Sequence, residues 1–394
     1  MASARIAPPV FTLSAGPVDA YPEVLLGMAR PVLYDFDPAF QAFYEATVEK
    51  TRAALGTANA PLVMHGEPVL GLEAAAASLI GKGDVVLNLA SGVYGKGFGY
   101  WAARYAKDVI EIEVPYNEAI EPEAVAARLR ERPDVTVVSL CHHDTPSGTI
   151  NPAAAIGRIV ADHGGYLIVD AVSSWGGMDI SPDGCDADIF VTGPNKCLGA
   201  PPGLTIVGVS ERAWEKMAAN PDAPRASMLS MLDWREAHQH DKPFPFTPSI
   251  AEINGLEAAV ARYLDEGPAS VWARHALTAR ACRAGVKAMG LSLWPAREAI
   301  AAPTCTAVRV PDGVADGALR QAARDRYGVT LSSGRGETMG KLIRIGHMGP
   351  TAYPIYATIA VTALGGACNA VGHRADVGAG VEAALAVIDE SAAA

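Results

Sequence analysis

Short apolar runs alternating with amphipathic helical stretches constrain this chain most, because that rhythm permits few ways of burying both. Helical periodicity predicts helices over residues 38–55, 68–80, 95–106, 121–131 and 152–163. Apolar runs predict strands over 84–89, 109–114, 135–140, 166–170, 187–192 and 204–209. The βαβα order implies a mostly parallel sheet covered on both faces. Strands 187–192 and 204–209 follow each other without a helix, so that pair is expected to add an antiparallel edge. After Pro243-Phe-Pro-Phe-Thr-Pro248 come helices over 250–263 and 269–289. From Leu291 the pattern changes to strands over 306–309, 330–332 and 342–346 and helices over 315–327 and 355–368. The expected organisation is an N-terminal arm (1–20), a large α/β domain (21–268) and a small C-terminal α+β domain (269–394).

Charge and cysteine usage exclude several classes. Acidic residues outnumber basic ones, 43 to 32, giving a net charge of −11, and no basic stripe appears, so nucleic acid is not an expected partner. No apolar run of 18 residues is present, and Met1-Ala-Ser-Ala-Arg-Ile-Ala-Pro-Pro9 lacks the apolar stretch of a signal peptide. Six cysteines (141, 185, 197, 282, 305 and 368) are scattered without a CxxC pair, which reads as reduced thiols in the cytoplasm.

Lys196 carries the chemistry. It follows the apolar run Asp188-Ile-Phe-Val-Thr192 and sits in Gly193-Pro-Asn-Lys-Cys-Leu-Gly-Ala-Pro-Pro-Gly203, a stretch too rich in Gly and Pro for regular structure. An amine held at the end of a buried strand loses its proton more readily, and a neutral amine attacks a carbonyl to form a Schiff base. Asp170 ends the preceding strand, Gly165-Tyr-Leu-Ile-Val-Asp170, where open α/β sheets place ligands. Together the two suit a pyridine aldehyde: the lysine holds the aldehyde, and the acid keeps the ring nitrogen protonated. Apart, each has an ordinary reading, a turn lysine and a turn-capping acid. Cys197 beside the lysine reads as buried packing.

Other candidates divide. Glycines 92, 95, 97 and 99 do not give G-x-G-x-x-G, so the loop is not read as a dinucleotide site. It would instead let Tyr94 lie flat against a planar ligand, or pack the tyrosine on a helix. His142 and His143 are neighbours on a strand, point to opposite faces and are not read as metal ligands. Asp144-Thr-Pro-Ser-Gly148 offers the hydroxyl groups of Thr145 and Ser147. Arg335 lies in a glycine-flanked turn and Arg344 at the centre of an apolar strand. A buried guanidinium needs a partner, either a ligand carboxylate held through two parallel bonds or an internal salt bridge. At His65-Gly66-Glu67-Pro68, a helix start that would suit phosphate, Pro68 deletes an N–H and Glu67 brings its own charge. On these residues alone it reads as ordinary helix-start chemistry.

Gly193–Gly203, the Asp170 strand end, Ala15-Gly-Pro17 and Arg344-Ile-Gly346 resemble class V aminotransferases of fold type I. Residues 65–74, 89–101, 141–152 and 332–338 are similar to the members of that family that exchange an amino group between pyridoxamine and pyruvate. The resemblance implies an α/β fold type I architecture with a mostly parallel central sheet. It implies the reaction pyridoxamine + pyruvate ⇌ pyridoxal + L-alanine, in vitamin B6 degradation. Lys196 would form the imine and shuttle the proton, and Asp170 would pair with the ring nitrogen. Tyr94 would stack on the ring, and Thr145 and Ser147 would meet its hydroxyl side. Arg335 and Arg344 would bind the substrate carboxylate. Tyr34 would line the pocket, and Phe246 would approach from a neighbouring subunit of a homo-oligomer, expected to be a tetramer. Glu67 stands where relatives hold the cofactor phosphate, which implies an unphosphorylated vitamer acting as substrate, with no bound prosthetic group and no metal. The alternatives are a conventional pyridoxal phosphate-dependent alanine/serine–glyoxylate/pyruvate aminotransferase and a non-catalytic vitamer carrier, the latter disfavoured by the two arginines.

Overall fold

The computed structural model describes residues 10–239 and 241–392. Residues 1–9 of the expected arm, on which the signal-peptide expectation rests, and residues 393–394 lie outside the described residues. The chain opens with β1 (Phe11–Thr12), α1 (Pro22–Met28) and α2 (Pro38–Leu55). Helix α2 starts where Asp37 accepts the N–H of Ala39 and Pro38 supplies a preset φ, and it stops at Gly56, whose φ of 69° suits glycine. Next come β2 (Leu62–His65), α3 (Val69–Leu79), β3 (Val85–Ala90), α4 (Val93–Tyr105), β4 (Asp108–Glu113), α5 (Pro122–Glu131) and β5 (Val135–Cys141). A two-stranded ribbon, β6 (His143–Asp144) and β7 (Thr149–Ile150), leads into α6 (Ala153–His163). Strands β8 (Tyr166–Asp170), β9 (Ile189–Thr192) and β10 (Leu204–Val209) complete the large sheet.

That sheet has seven strands in the order β2-β10-β9-β8-β5-β3-β4. Strands β4, β3, β5, β8 and β9 are parallel, and β10 is antiparallel to both β9 and β2. The expected edge strand is therefore interior: β10 is flanked on its far side by β2, which closes the sheet. Strand β2 is only four residues long between Pro61 and Gly66, and its partner is more than a hundred residues away, so no local periodicity announces it. The side chains alternate as strand geometry requires. Val63, Leu87, Leu89, Leu167, Val169, Phe190 and Ile206 enter one buried cluster, whereas Leu62, Met64, Val86, Ile168, Ile189, Val191 and Val207 enter another on the opposite face. The chain runs from β3 out to β4 and returns as β5 on β3's other side. That reversal opens a crevice at the carboxyl ends of the strands, the usual ligand position in such sheets.

The remainder comprises α7 (Glu211–Ala219), α8 (Met231–Trp234), α9 (Ile250–Glu266), α10 (Pro268–Ala288), β11 (Cys305–Arg309), α11 (Asp316–Tyr327), β12 (Val329–Thr330), β13 (Ser332–Ser333), β14 (Leu342–Gly346), α12 (Ile355–Ala370) and α13 (Val377–Ala392). Strands β11, β14 and β13 form an antiparallel sheet. A third buried cluster joins its Val308, Ile343 and Ile345 to Cys282 and Val286 of α10 and to Val361 and Leu364 of α12. Leu13 belongs to this cluster and β1 pairs with β12, so the chain's first described segment packs against its last third. Among the described residues no helix is long and apolar enough to cross a membrane.

Candidate active site

The segments that follow β2, β3, β8 and β9, with the loop after β13, converge on one cavity of about 230 Å³, lined by Glu67, Tyr94, Asp170, Ser173, Lys196 and Arg335 together with Val69, Leu72 and Val172. Adjacent parallel strands deliver Asp170 and Lys196, the first at the last position of β8 and the second four residues past β9. The Lys196 amine donates to the carbonyl of Ala15 at 2.9 Å. A Cβ at Gly16 would overlap that amine, and φ there is +127°, so glycine is required beside it. Burial lowers the Lys196 pKa, Arg344 lowers it further, and the charges of Glu67, Cys197 and Asp170 oppose the shift. Cys197 is buried, with its thiol pushed up to about 12, and acts as packing.

Burial pushes Asp170 up to about 6, against the pull of the Val172 N–H at 3.0 Å and the Cys141 thiol at 3.6 Å. A cationic nitrogen facing this carboxylate would restore its charge. Tyr94 is the second residue of α4. Its backbone N–H, and that of Gly95, donate to the carboxylate of Asp144 at 2.7 and 3.0 Å. The helix is thus capped from another loop, since its own N-cap, Gly92, has no side chain, and a Cβ on Gly92 would overlap the Asp144 carboxylate. Asp144 is fully buried and pushed up to about 7 by that burial, opposed by the two N–H groups, and its Oδ1 has no partner among the described residues.

The arginines differ in setting. Arg335 is exposed, with its guanidinium 5.8 Å from the centre of the Tyr94 ring. Arg344 is buried in the centre of β14 and donates from Nε to the carbonyl of Ser333 at 2.8 Å. Among the described residues neither has a carboxylate partner, so the internal salt bridge left open by the sequence is not what holds them.

The remaining sequence candidates are placed less simply. Thr145 and Ser147 are fully buried, directed at Ser173 Oγ and the Ser91 carbonyl at 3.5 Å each. The serine that lines the cavity is Ser173 instead, in the Ala171-Val-Ser-Ser174 turn after Asp170. Its only sequence signal was that it closely follows a strand-end acid. Tyr34 is 69% exposed and stacks on Phe36, outside this cavity's lining, while Phe246 is half-buried and packs on the second core cluster. At the start of α3, the N–H of Val69 donates to the Glu67 carboxylate at 3.1 Å and that of Leu70 to the Glu67 carbonyl at 2.8 Å.

A strand-end lysine and acid at the crevice of such a sheet, with Arg335 in the cavity lining and Arg344 outside it but near enough to lower the lysine's pKa, is the layout of a fold type I aminotransferase. The chain belongs to the class V aminotransferase family, whose description, Aminotransferase class-V, matches residues 32–348. It is 70% identical over 386 residues to the pyridoxamine–pyruvate transaminase of Mesorhizobium japonicum, covering 98% of both chains. The crystal structure of pyridoxamine-pyruvate aminotransferase from Mesorhizobium loti matches with a TM-score of 0.97 at 70% identity, over 98% of each chain. That of ureidoglycine-glyoxylate aminotransferase from Bacillus subtilis matches with a TM-score of 0.92 at 28% identity, over 98% of this chain and all of that one (100%).

Family membership corrects one expectation. Class V aminotransferases of this fold depend on a bound pyridoxal phosphate cofactor, so the absence of any prosthetic group, read from Glu67, does not stand. The residues present fit the ring of such a group: Lys196 and Asp170 face one cavity, and each has only weak or replaceable partners there. At the α3 end the fit is conditional, because a phosphate would have to displace the Glu67 carboxylate from the Val69 N–H.

Proposed function

We propose that the protein transfers the amino group of pyridoxamine to pyruvate, giving pyridoxal and L-alanine. The single observation that carries this reading is the shared cavity of Lys196, Asp170 and Arg335, together with 70% identity to a pyridoxamine–pyruvate transaminase. When bound, a B6 ring supplies an electron sink for the carbon that exchanges its proton. Lys196, its proton affinity lowered by burial, takes that proton from one carbon and returns it to the other. Asp170 would hold the proton on the ring nitrogen, Tyr94 would offer its ring to the heterocycle, and Ser173, backed by Thr145, would meet it from the turn after β8. Ser147 holds the neighbouring turn against Ser91. Arg344 and Arg335 bind the carboxylate of alanine or pyruvate as a planar fork would. Glu67 accepts the Val69 N–H at the start of α3, the bond that a cofactor phosphate there would replace.

This reading extends to assembly and setting. Tyr34 and Phe246 would complete the cavity of a neighbouring copy within a homotetramer. The chain would be divided into an arm (1–20), a large domain carrying Lys196 (21–268) and a small domain carrying Arg335 and Arg344 (269–394). The activity would serve vitamin B6 breakdown in the cytoplasm. The test is direct: incubate the protein with pyridoxamine and pyruvate and follow aldehyde absorbance and alanine. Equal yields of pyridoxal and alanine are expected. Neither product with pyruvate, but turnover with alanine and glyoxylate, would replace the reading with a glyoxylate transaminase.

A further inference from the structure

Residues 335–340 form an exposed loop in which one side chain, that of Thr338, is buried, at 1% exposure. Its hydroxyl oxygen accepts the backbone N–H of Arg335 at 2.9 Å. The same oxygen lies 3.1 Å from the carbonyl of Pro146 and 2.9 Å from that of Arg335, and its one hydrogen can serve either acceptor. Pro146 belongs to the Asp144–Gly148 turn, whose Asp144 carboxylate fixes the N–H of Tyr94. A Cβ at Gly336 would come within 3.2 Å of Val93 at the head of α4, so the loop also leans on the helix that carries Tyr94. One hydroxyl thus joins the backbone of Arg335 to the turn that orients the ring-facing tyrosine, and the Arg335 guanidinium reaches the Tyr94 ring across that junction.

We infer that Thr338 is the positioning residue for substrate-carboxylate recognition: its hydroxyl bolts the Arg335 loop to the Pro146 carbonyl and so sets where the guanidinium stands over the cavity. The inference rests on the proposed carboxylate role of Arg335. Without the bolt, an exposed, glycine-flanked loop keeps its arginine but loses its register, and a two-bond fork to a carboxylate tolerates little displacement. Lys196 and Asp170 stand on other loops, and the Asp144 carboxylate holds the Tyr94 N–H without Thr338, so the loss falls on the keto acid and amino acid and spares the B6 substrate.

The experiment compares Thr338→Val, Thr338→Ala, Thr338→Ser and Arg335→Ala in the full-length enzyme, with thermal midpoints to confirm folding. Thr338→Val is expected to raise KM for pyruvate and alanine roughly fivefold to tenfold, leaving kcat and the pyridoxamine KM within about twofold, and Thr338→Ser to restore both. If valine proves too tight to fold, Thr338→Ala removes the same hydroxyl and carries the test. Wild-type KM for pyruvate in these variants, while Arg335→Ala raises it, overturns the inference and leaves the role of Arg335 standing. Equal changes for pyridoxamine and pyruvate, or no rescue by serine, overturn it as well. An unchanged pyruvate KM in Arg335→Ala defeats the carboxylate role itself, and the inference with it.

Discussion

Cys141 and Asp170 are direct neighbours across the parallel pair β5–β8, with the thiol sulfur 3.6 Å from Asp170 Oδ2. Cys141 is buried, and the same burial that pushes Asp170 up to about 6 makes any donor aimed at its carboxylate count. The thiol is a weak donor that favours the ionised acid. Cys141→Ala is therefore predicted to raise the Asp170 pKa and move the acid limb of kcat/KM to higher pH by about half a unit, the worth of one weak hydrogen bond. Cys141→Ser should hold the limb in place. A pH profile unmoved in Cys141→Ala means the thiol serves packing alone.

Lys196→Ala removes the amine that stands against Ala15 and Gly16. Loss of a positioned proton-transfer group and nucleophile predicts a fall in kcat on the order of 10³-fold or more, with the protein still folded and still able to bind the ring. Single-turnover kinetics with pyridoxamine and pyruvate read this directly. A variant retaining a tenth of wild-type turnover would show that another group moves the proton.

Glu67 offers its carboxylate to the Val69 N–H at the head of α3. Glu67→Gly removes the repelling charge and frees that N–H for a phosphate oxygen. The ratio of pyridoxal to pyridoxal 5′-phosphate affinity is predicted to shift toward the phosphate by roughly tenfold, equivalent to about 1.4 kcal/mol. Titration of both ligands by absorbance measures it; an unchanged ratio means that Glu67 does not govern phosphate binding.

Four buried histidines are predicted to weaken the fold in acid. Burial lowers His142 to about 4 and His143, His275 and His347 to about 3, from an ordinary 6.5. Unfolded, each takes up a proton near 6.5 that the folded chain refuses, so the stability they confer is full above that pH and is lost as pH falls through it. Asp144 and Asp170, pushed up to about 7 and about 6, act in the opposite sense: folded, they hold protons that the unfolded chain has released. Four against two leaves the unfolded chain ahead by about two protons between roughly pH 4 and 6. Stability is predicted to drop by up to about 2.7 kcal/mol per pH unit there. Denaturant midpoints across pH 4–7 test it, and a flat profile would mean the histidines gain partners on acidification.

Local sequence determined the elements and which residues stand at the strand ends. The β-α alternation, the span of α2, Asp170 as the last residue of β8 and Lys196 past β9 all follow from periodicity and from loops that Gly and Pro keep irregular. These are readable because side-chain spacing and backbone restriction act within a few residues. What tertiary structure decided are the relations that depend on distant segments. Strand β2 exists because β10 pairs with it, Ser173 rather than Thr145 or Ser147 lines the cavity, and Asp144 caps the helix of Tyr94. Hydroxyl groups and short strands carry no local mark of which way they will face. Their direction is fixed when buried polar groups find partners across the fold, a choice that no stretch of neighbouring residues contains.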